Sequence, residues 1–204
     1  MRTPSRNRVA PTGEILAIPL RGGWLGNRGI LHEGRTVVRN HTHKRWITCV
    51  LQHKDWRLPQ WQPGRFTVLF FHDEAVSLAA GHRPCALCRR PDYNAFRQAW
   101  AAGGGGDVLG ADAMDVALHL ERMVPHTRRR RWHPAVWAEL PRGAFVLHRD
   151  APALVLDDSI VPWSPAGYGA AEARPRAGTT TLVTPPTIVA VLRGGYRPQI
   201  AVEA

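Results

Sequence analysis

Cysteine is scarce: the chain of 204 residues has three, an odd number. That argues against a disulfide framework and for a reducing, cytoplasmic setting, where a close cysteine pair reads as a metal or redox pair. No run of about 18 apolar residues exists, so no membrane span is expected. The N-terminal MRTPSRNRVAPTG is basic with no apolar stretch behind it, so nothing there reads as a secretory signal. Catalytic motifs are also missing. There is no phosphate loop of the GxxxxGK[ST] kind, no clean GxGxxG, no nucleophile elbow and no Ser-His-Asp arrangement.

Acidic residues are outnumbered. Lys+Arg total 27 against 16 Asp+Glu, a net charge of +11, and arginine dominates lysine. Arginine grips phosphates in a bidentate fashion. A polyanionic partner is therefore expected, nucleic acid first, and DNA before RNA. A genome rich in G and C would also favour Arg, Ala, Gly and Pro, all abundant here.

Patterning gives an α+β chain with hydrophobic residues at 44%, enough for one core. Residues 1–12 read as a basic, disordered arm. Strands are expected over RWITCVLQ (45–52) and RFTVLFF (65–71), and a short helix over HDEAVSLAAG, with Asp73 as N-cap and Gly81 as the stop. RPDYNAFRQAWAA (90–102) reads as a helix whose Tyr93, Phe96 and Trp100 make a core stripe. The glycines at 103–106 mark a linker, 103–107, between a zinc-binding part (13–102) and a second part (108–204). That second part is expected to pack on the first as one globule. It has a helix over DAMDVALHLERMV, short strands after Phe145, a helix over PPTIVAVLRGG and a last strand over YRPQIAV. SLAAGHRP and VLRGGYRP echo each other, which reads as one helix-stop geometry used twice.

Cys85 and Cys88 form a C-x2-C pair, the spacing of half a tetrahedral zinc site. The third cysteine, Cys49, lies four residues before His53, and C-x3-H is an acceptable second half. His43, His72 and His82 compete with His53 as the fourth ligand. A thioredoxin-type redox pair is disfavoured, because such a pair opens a helix within a βαβ pattern.

The stretch FFHDEAVSLAAGHRPCALCRRPD resembles the zinc-binding N-terminal domain of Ada-type DNA alkylation-repair proteins. The likeness rests on Phe71, Glu74, Ala75, Ala80, Gly81, His82, Arg83, Pro84, Cys85, Cys88, Pro91 and Asp92, and covers roughly residues 45–92. It implies a small zinc-knuckle α/β core, extended here by a strand-rich C-terminal half with two further helices. It also implies that Cys49 is the metal-bound thiolate that accepts a methyl group from a DNA phosphotriester. His53 stands where that family has a second cysteine. An extra Arg lies between Cys88 and Pro91, and the PCHR string of the alkyltransferase domain is missing. Replacing a thiolate by a neutral imidazole leaves the remaining thiolates less nucleophilic.

Further candidates are cationic or acid–base groups. Arg128, Arg129, Arg130 and Arg131 with Trp132 could pair with phosphates and stack on a base, or form a solvated loop. Arg83, Arg89 and Arg90 flank one zinc half-site, and Lys54, Arg57 and Arg65 the other, so one positive face around the metal is expected. Asp115 and His119 stand one helical turn apart and could form an oriented general base. His41 and His43, on alternate residues, could share a strand face. The leading expectation is a Zn2+-dependent DNA-binding protein, linked to repair. The alternatives are a metal-dependent hydrolase or nuclease using these His and Asp residues, and an interaction module with purely structural zinc.

Overall fold

The computed structural model describes residues 3–127 and 129–202. The first half of the chain supplies β1 (Arg8–Val9), β2 (Ile15–Leu16), β3 (Trp24–Asn27), the hairpin strands β4 (His32–Glu33) and β5 (Thr36–Val37), then β6 (Ile47–Cys49), β7 (Leu69–Phe71) and β8 (Arg83–Pro84). Strands β1–β3 and β6–β8 form one sheet in the order β2-β1-β7-β3-β6-β8. The second half supplies β9 (His133–Val136), β10 (Phe145–His148), β11 (Ala151–Val155), β12 (Ser159–Ser164), β13 (Gly167–Tyr168), β14 (Glu172–Ala173) and β15 (Thr179–Leu182). These make a second sheet in the order β13-β12-β11-β10-β15-β9, with β14 on β12. Helices α1 (Glu74–Ala79), α2 (Arg90–Trp100), α3 (Ala111–Arg122) and α4 (Pro186–Arg193) complete a mixed α+β architecture. Among the described residues no helix is long and apolar enough to cross a membrane.

The second sheet is the middle layer. Alternate residues of a strand face opposite sides, and here both sides are buried. Val146, Val155 and Ile160 join the core that holds Tyr93, Phe96, Trp100, Met114, Leu118 and Ile188. Their neighbours Phe145, Leu154 and Val161 join the core under Leu69, Phe71, Val76 and Val9. Each core therefore draws on both halves of the chain. Tyr93, Phe96 and Trp100 are core, as their spacing predicts.

Three expectations are corrected. Residues 1–12 are not a free arm where the structure describes them: Arg8 and Val9 pair in parallel with Phe70 and Phe71, and burying Val9 and Ala10 holds them there. The glycine-rich stretch at 103–107 is not a free linker. The chain continues from α2 through a wide turn (Ala101–Gly105) packed on α4. A Cβ on Gly103 would lie 2.1 Å from the Ala190 carbonyl oxygen, and one on Gly194 2.1 Å from that of Ala99. The tail YRPQIAV is not a strand. Its amides bond to buried carboxylates at the start of α1: Gln199 N–H to Glu74 (3.0 Å) and Ala201 N–H to Asp73 (2.9 Å).

The echoed helix stops share one geometry. Gly81 and Gly195 have φ of +83° and +107°. The amides that follow them, of His82 and Tyr196, reach back to the Ser77 and Val191 carbonyls at 3.0 and 3.2 Å. That backbone pattern places a positive-φ residue just past the helix end.

Candidate metal centre and cation cluster

Parallel pairing of β6 with β8 brings the cysteines together. Ile47 sits opposite Arg83 and Thr48 opposite Pro84, and the Cys85 amide donates to the Thr48 carbonyl at 2.9 Å. One residue further along, Cys49 and Cys85 are neighbours. The tight turn before α2 returns Cys88 to the same point. All three Sγ atoms lie within 4.8 Å of one another. A tetrahedral zinc with Zn–S bonds of about 2.3 Å separates its sulfurs by roughly 3.8 Å, so the donor set fits a thiophilic metal with small side-chain adjustments. Cys85 is buried, while Cys49 and Cys88 are half-buried.

The three thiols share protons. Hydrogen bonds from Cys49 and Cys88 draw Cys85 down to about 2, and the Leu87 N–H also points at its sulfur, at 3.4 Å. Donating to that thiolate raises the Cys49 thiol. A bound cation would replace the shared protons and hold all three sulfurs as thiolates.

His53 is not in the cluster. It lines the cavity that the cysteines open into, about 170 Å³ and walled by Leu51, Trp56, Leu87 and Phe66. Its ring lies edge-on to Trp56, with centroids 5.4 Å apart. The competitor His82 is fully buried on the other side, against Phe71 and Trp46.

The acid–base candidates are committed elsewhere. Both Asp115 oxygens accept from Arg83, at 3.0 and 2.7 Å, so Asp115 does not orient His119. Burial, then Arg122, His41 and Lys44, lower His119 to about 4 and keep the imidazole neutral. The His119 ring faces those of His41 and Trp46 instead. His41 and His43 lie in a bend before β6, not on a strand.

The expected positive face around the cysteines is broken up. Arg83 and Arg89 are each 2% exposed. Arg89 binds Glu74 at 2.6 Å and Asp92 at 2.9 Å and stacks on Trp24. Lys54, Arg57 and Arg90 are exposed, as are Arg129 and Trp132, while Arg131 is half-buried. Arg128 lies outside the described residues. Arg130 turns inward and donates to the Ala79 and Ala80 carbonyls at 2.9 and 3.1 Å.

A cation cluster that no local motif announces lies behind the metal centre. Trp46, 1% exposed, is sandwiched by Arg28 and Arg122, each with its guanidinium carbon 4.1 Å from the ring centre. Arg130 approaches to 5.9 Å. Asn27 and Ile47 line the cysteine cavity, and the adjoining Arg28 and Trp46 line another. The two sites thus flank the same pair of strands. The chain matches no family model, no curated protein and no solved structure.

Proposed function

We propose that this chain is a zinc-binding protein that engages nucleic acid, DNA before RNA. One observation carries the metal half: three sulfurs from two distant segments converge within 4.8 Å. Soft thiolate ligands at that spacing favour zinc among abundant cations. His53 becomes the fourth ligand when its ring turns from Trp56 toward the sulfurs. The nucleic-acid half is supported by the net charge of +11 and by Arg129 and Trp132, both exposed and lining one cavity, side chains suited to a phosphate and an unstacked base. The resemblance to Ada-type domains extends the reading to repair, with Cys49 as the metal-bound thiolate that takes up an alkyl group.

Elemental analysis of protein purified with zinc tests the first half. About one zinc per chain is expected, lost in Cys88→Ser and weakened in His53→Ala. No metal in the wild type overturns the reading. For the second half, binding of labelled duplex and single-stranded DNA should weaken steeply as salt rises. No binding at low salt would leave a protein whose zinc is purely structural. Alkyl transfer from methylated DNA to a Cys49→Ser variant would remove Cys49 from the repair role.

A further inference from the structure

A cavity of about 660 Å³ opens beside Trp46, with Arg28 and Arg130 on its inner wall and Arg6, Arg129 and Trp132 toward solvent. Beneath it, Arg28, Arg122 and Arg130 crowd around one indole. None of the three has a carboxylate partner among the described residues. Arg28 donates to His82 and to the Gly13 carbonyl, at 3.1 and 2.9 Å. Arg122 donates to the Gly81 carbonyl at 2.6 Å and to that of Lys44. One guanidinium nitrogen of each is buried with no hydrogen-bond partner: Nη2 of Arg28, Nε of Arg122 and Nε of Arg130. Glu14 is the one carboxylate on the cavity wall. It is exposed and forms no ion pair with them.

Burial presses on all three charges, and repulsion from the neighbouring arginines adds to it at Arg28 and Arg122. Arg28 is lowered by desolvation, then by Arg130 and Arg122. Arg122 is lowered by desolvation, then by Arg130, and Asp115 offsets only part of this. Guanidinium keeps its proton regardless, so the cluster holds buried positive charge that needs a counter-charge. Carbonyls at the C-terminal end of α1 supply part of it through Arg122 and Arg130. They do not touch Arg28, and they leave the cavity open in front of it.

We propose that this cavity binds the phosphate of a nucleotide, held by Arg28, Arg129 and Arg130, with the base stacked on Trp132. The volume suits a ligand of that size, and guanidinium groups with an exposed indole are the side chains that recognise a phosphate and a flat ring. Phosphate follows from the cluster itself. The choice of a nucleotide to carry it rests on the nucleic-acid reading above.

Calorimetric titration at low salt with inorganic phosphate, AMP and adenosine tests the site. AMP should bind most tightly, and adenosine at least tenfold more weakly, as befits the loss of a charge-assisted contact. Arg129→Ala should weaken phosphate and AMP together by about tenfold, and Arg28→Lys should do the same. Trp132→Ala should weaken AMP and leave phosphate unchanged. Should Arg28→Lys fail to fold, the two exposed positions carry the test alone. The proposal is overturned if neither phosphate nor AMP binds. It is also overturned if Arg129→Ala and Arg28→Lys both bind AMP like the wild type, because the arginines then only brace α1. Single strands with and without a 5′-phosphate separate the sources. Tighter binding of the phosphorylated strand assigns the cavity to a strand end, and equal binding with AMP still bound assigns it to a free nucleotide. AMP binding with no oligonucleotide binding overturns the nucleic-acid reading and keeps the cavity.

Discussion

Asp115 illustrates what a single residue does once its neighbours are known. It stands on α3, yet both its oxygens are taken by Arg83, and the pair's side chains are only 2% and 4% exposed. Breaking a buried pair leaves one charge stranded, at a cost of about 3–5 kcal/mol. Asp115→Asn should therefore lower stability by about that much in urea unfolding, and Asp115→Asn with Arg83→Met should recover part of the loss. A catalytic Asp115 would behave differently, losing turnover while the fold stayed intact. The sulfurs were legible in the sequence because Cys85 and Cys88 lie on one short turn. His53 was legible only as a spacing, and spacing does not say which way a ring points. The arginines were legible as charge and not as buried groups. Charge can be counted along a chain, but whether Arg83 or Arg130 turns inward depends on a carboxylate or helix end that another segment supplies.

At the scale of elements, the four helices, and the stops of those that end on glycine, could be read from periodicity and composition, because those signals are local. Elements fixed from afar could not. β1 exists because Phe70 and Phe71 offer it an edge. The tail stays irregular because Glu74 and Asp73 take its amides in place of a neighbouring strand. Glycine at 103 has a meaning that composition hides: it lets the end of α2 cross α4 at backbone distance. Gly103→Ala should push the Ala190 carbonyl away and cost about 1–3 kcal/mol, in the range of overpacked cores. The melting temperature should fall by several degrees in a chain of this size. Gly169→Ala is the control. The Cβ it would add meets only Pro162, at an ordinary contact distance of 3.6 Å, so its melt should match the wild type, and equal melts for both variants would mean that the helix crossing yields freely.

Over the whole molecule, the positive charge that pointed to a polyanion is divided between the surface and a buried cluster, and histidines share the burial. His82 is pushed well below its ordinary value by desolvation and then by Arg28. His43 and His72 are also lowered, first by burial. His119 falls to about 4, against about 6.5 in an unfolded chain. Between those two values the unfolded chain binds more protons at His119 than the folded chain does, so stability falls as pH falls through that window. Two buried carboxyls act with the opposite sign. Desolvation raises Asp73 and Asp115, and a raised carboxyl favours the folded state on the acid side. A single melting curve mixes these effects, and a difference curve separates them. His119→Gln removes one titrating imidazole while leaving both carboxyls in place. Melting temperatures of wild type and variant, measured from pH 7.5 to 4.5 at constant ionic strength, should draw together or cross as pH falls, because only the wild type loses the contribution of a neutral His119. If the gap instead widens in favour of the wild type toward pH 4.5, His119 is charged in the folded protein. Its burial and the Arg122 charge beside it would then press on the imidazole less than its position in the fold makes them.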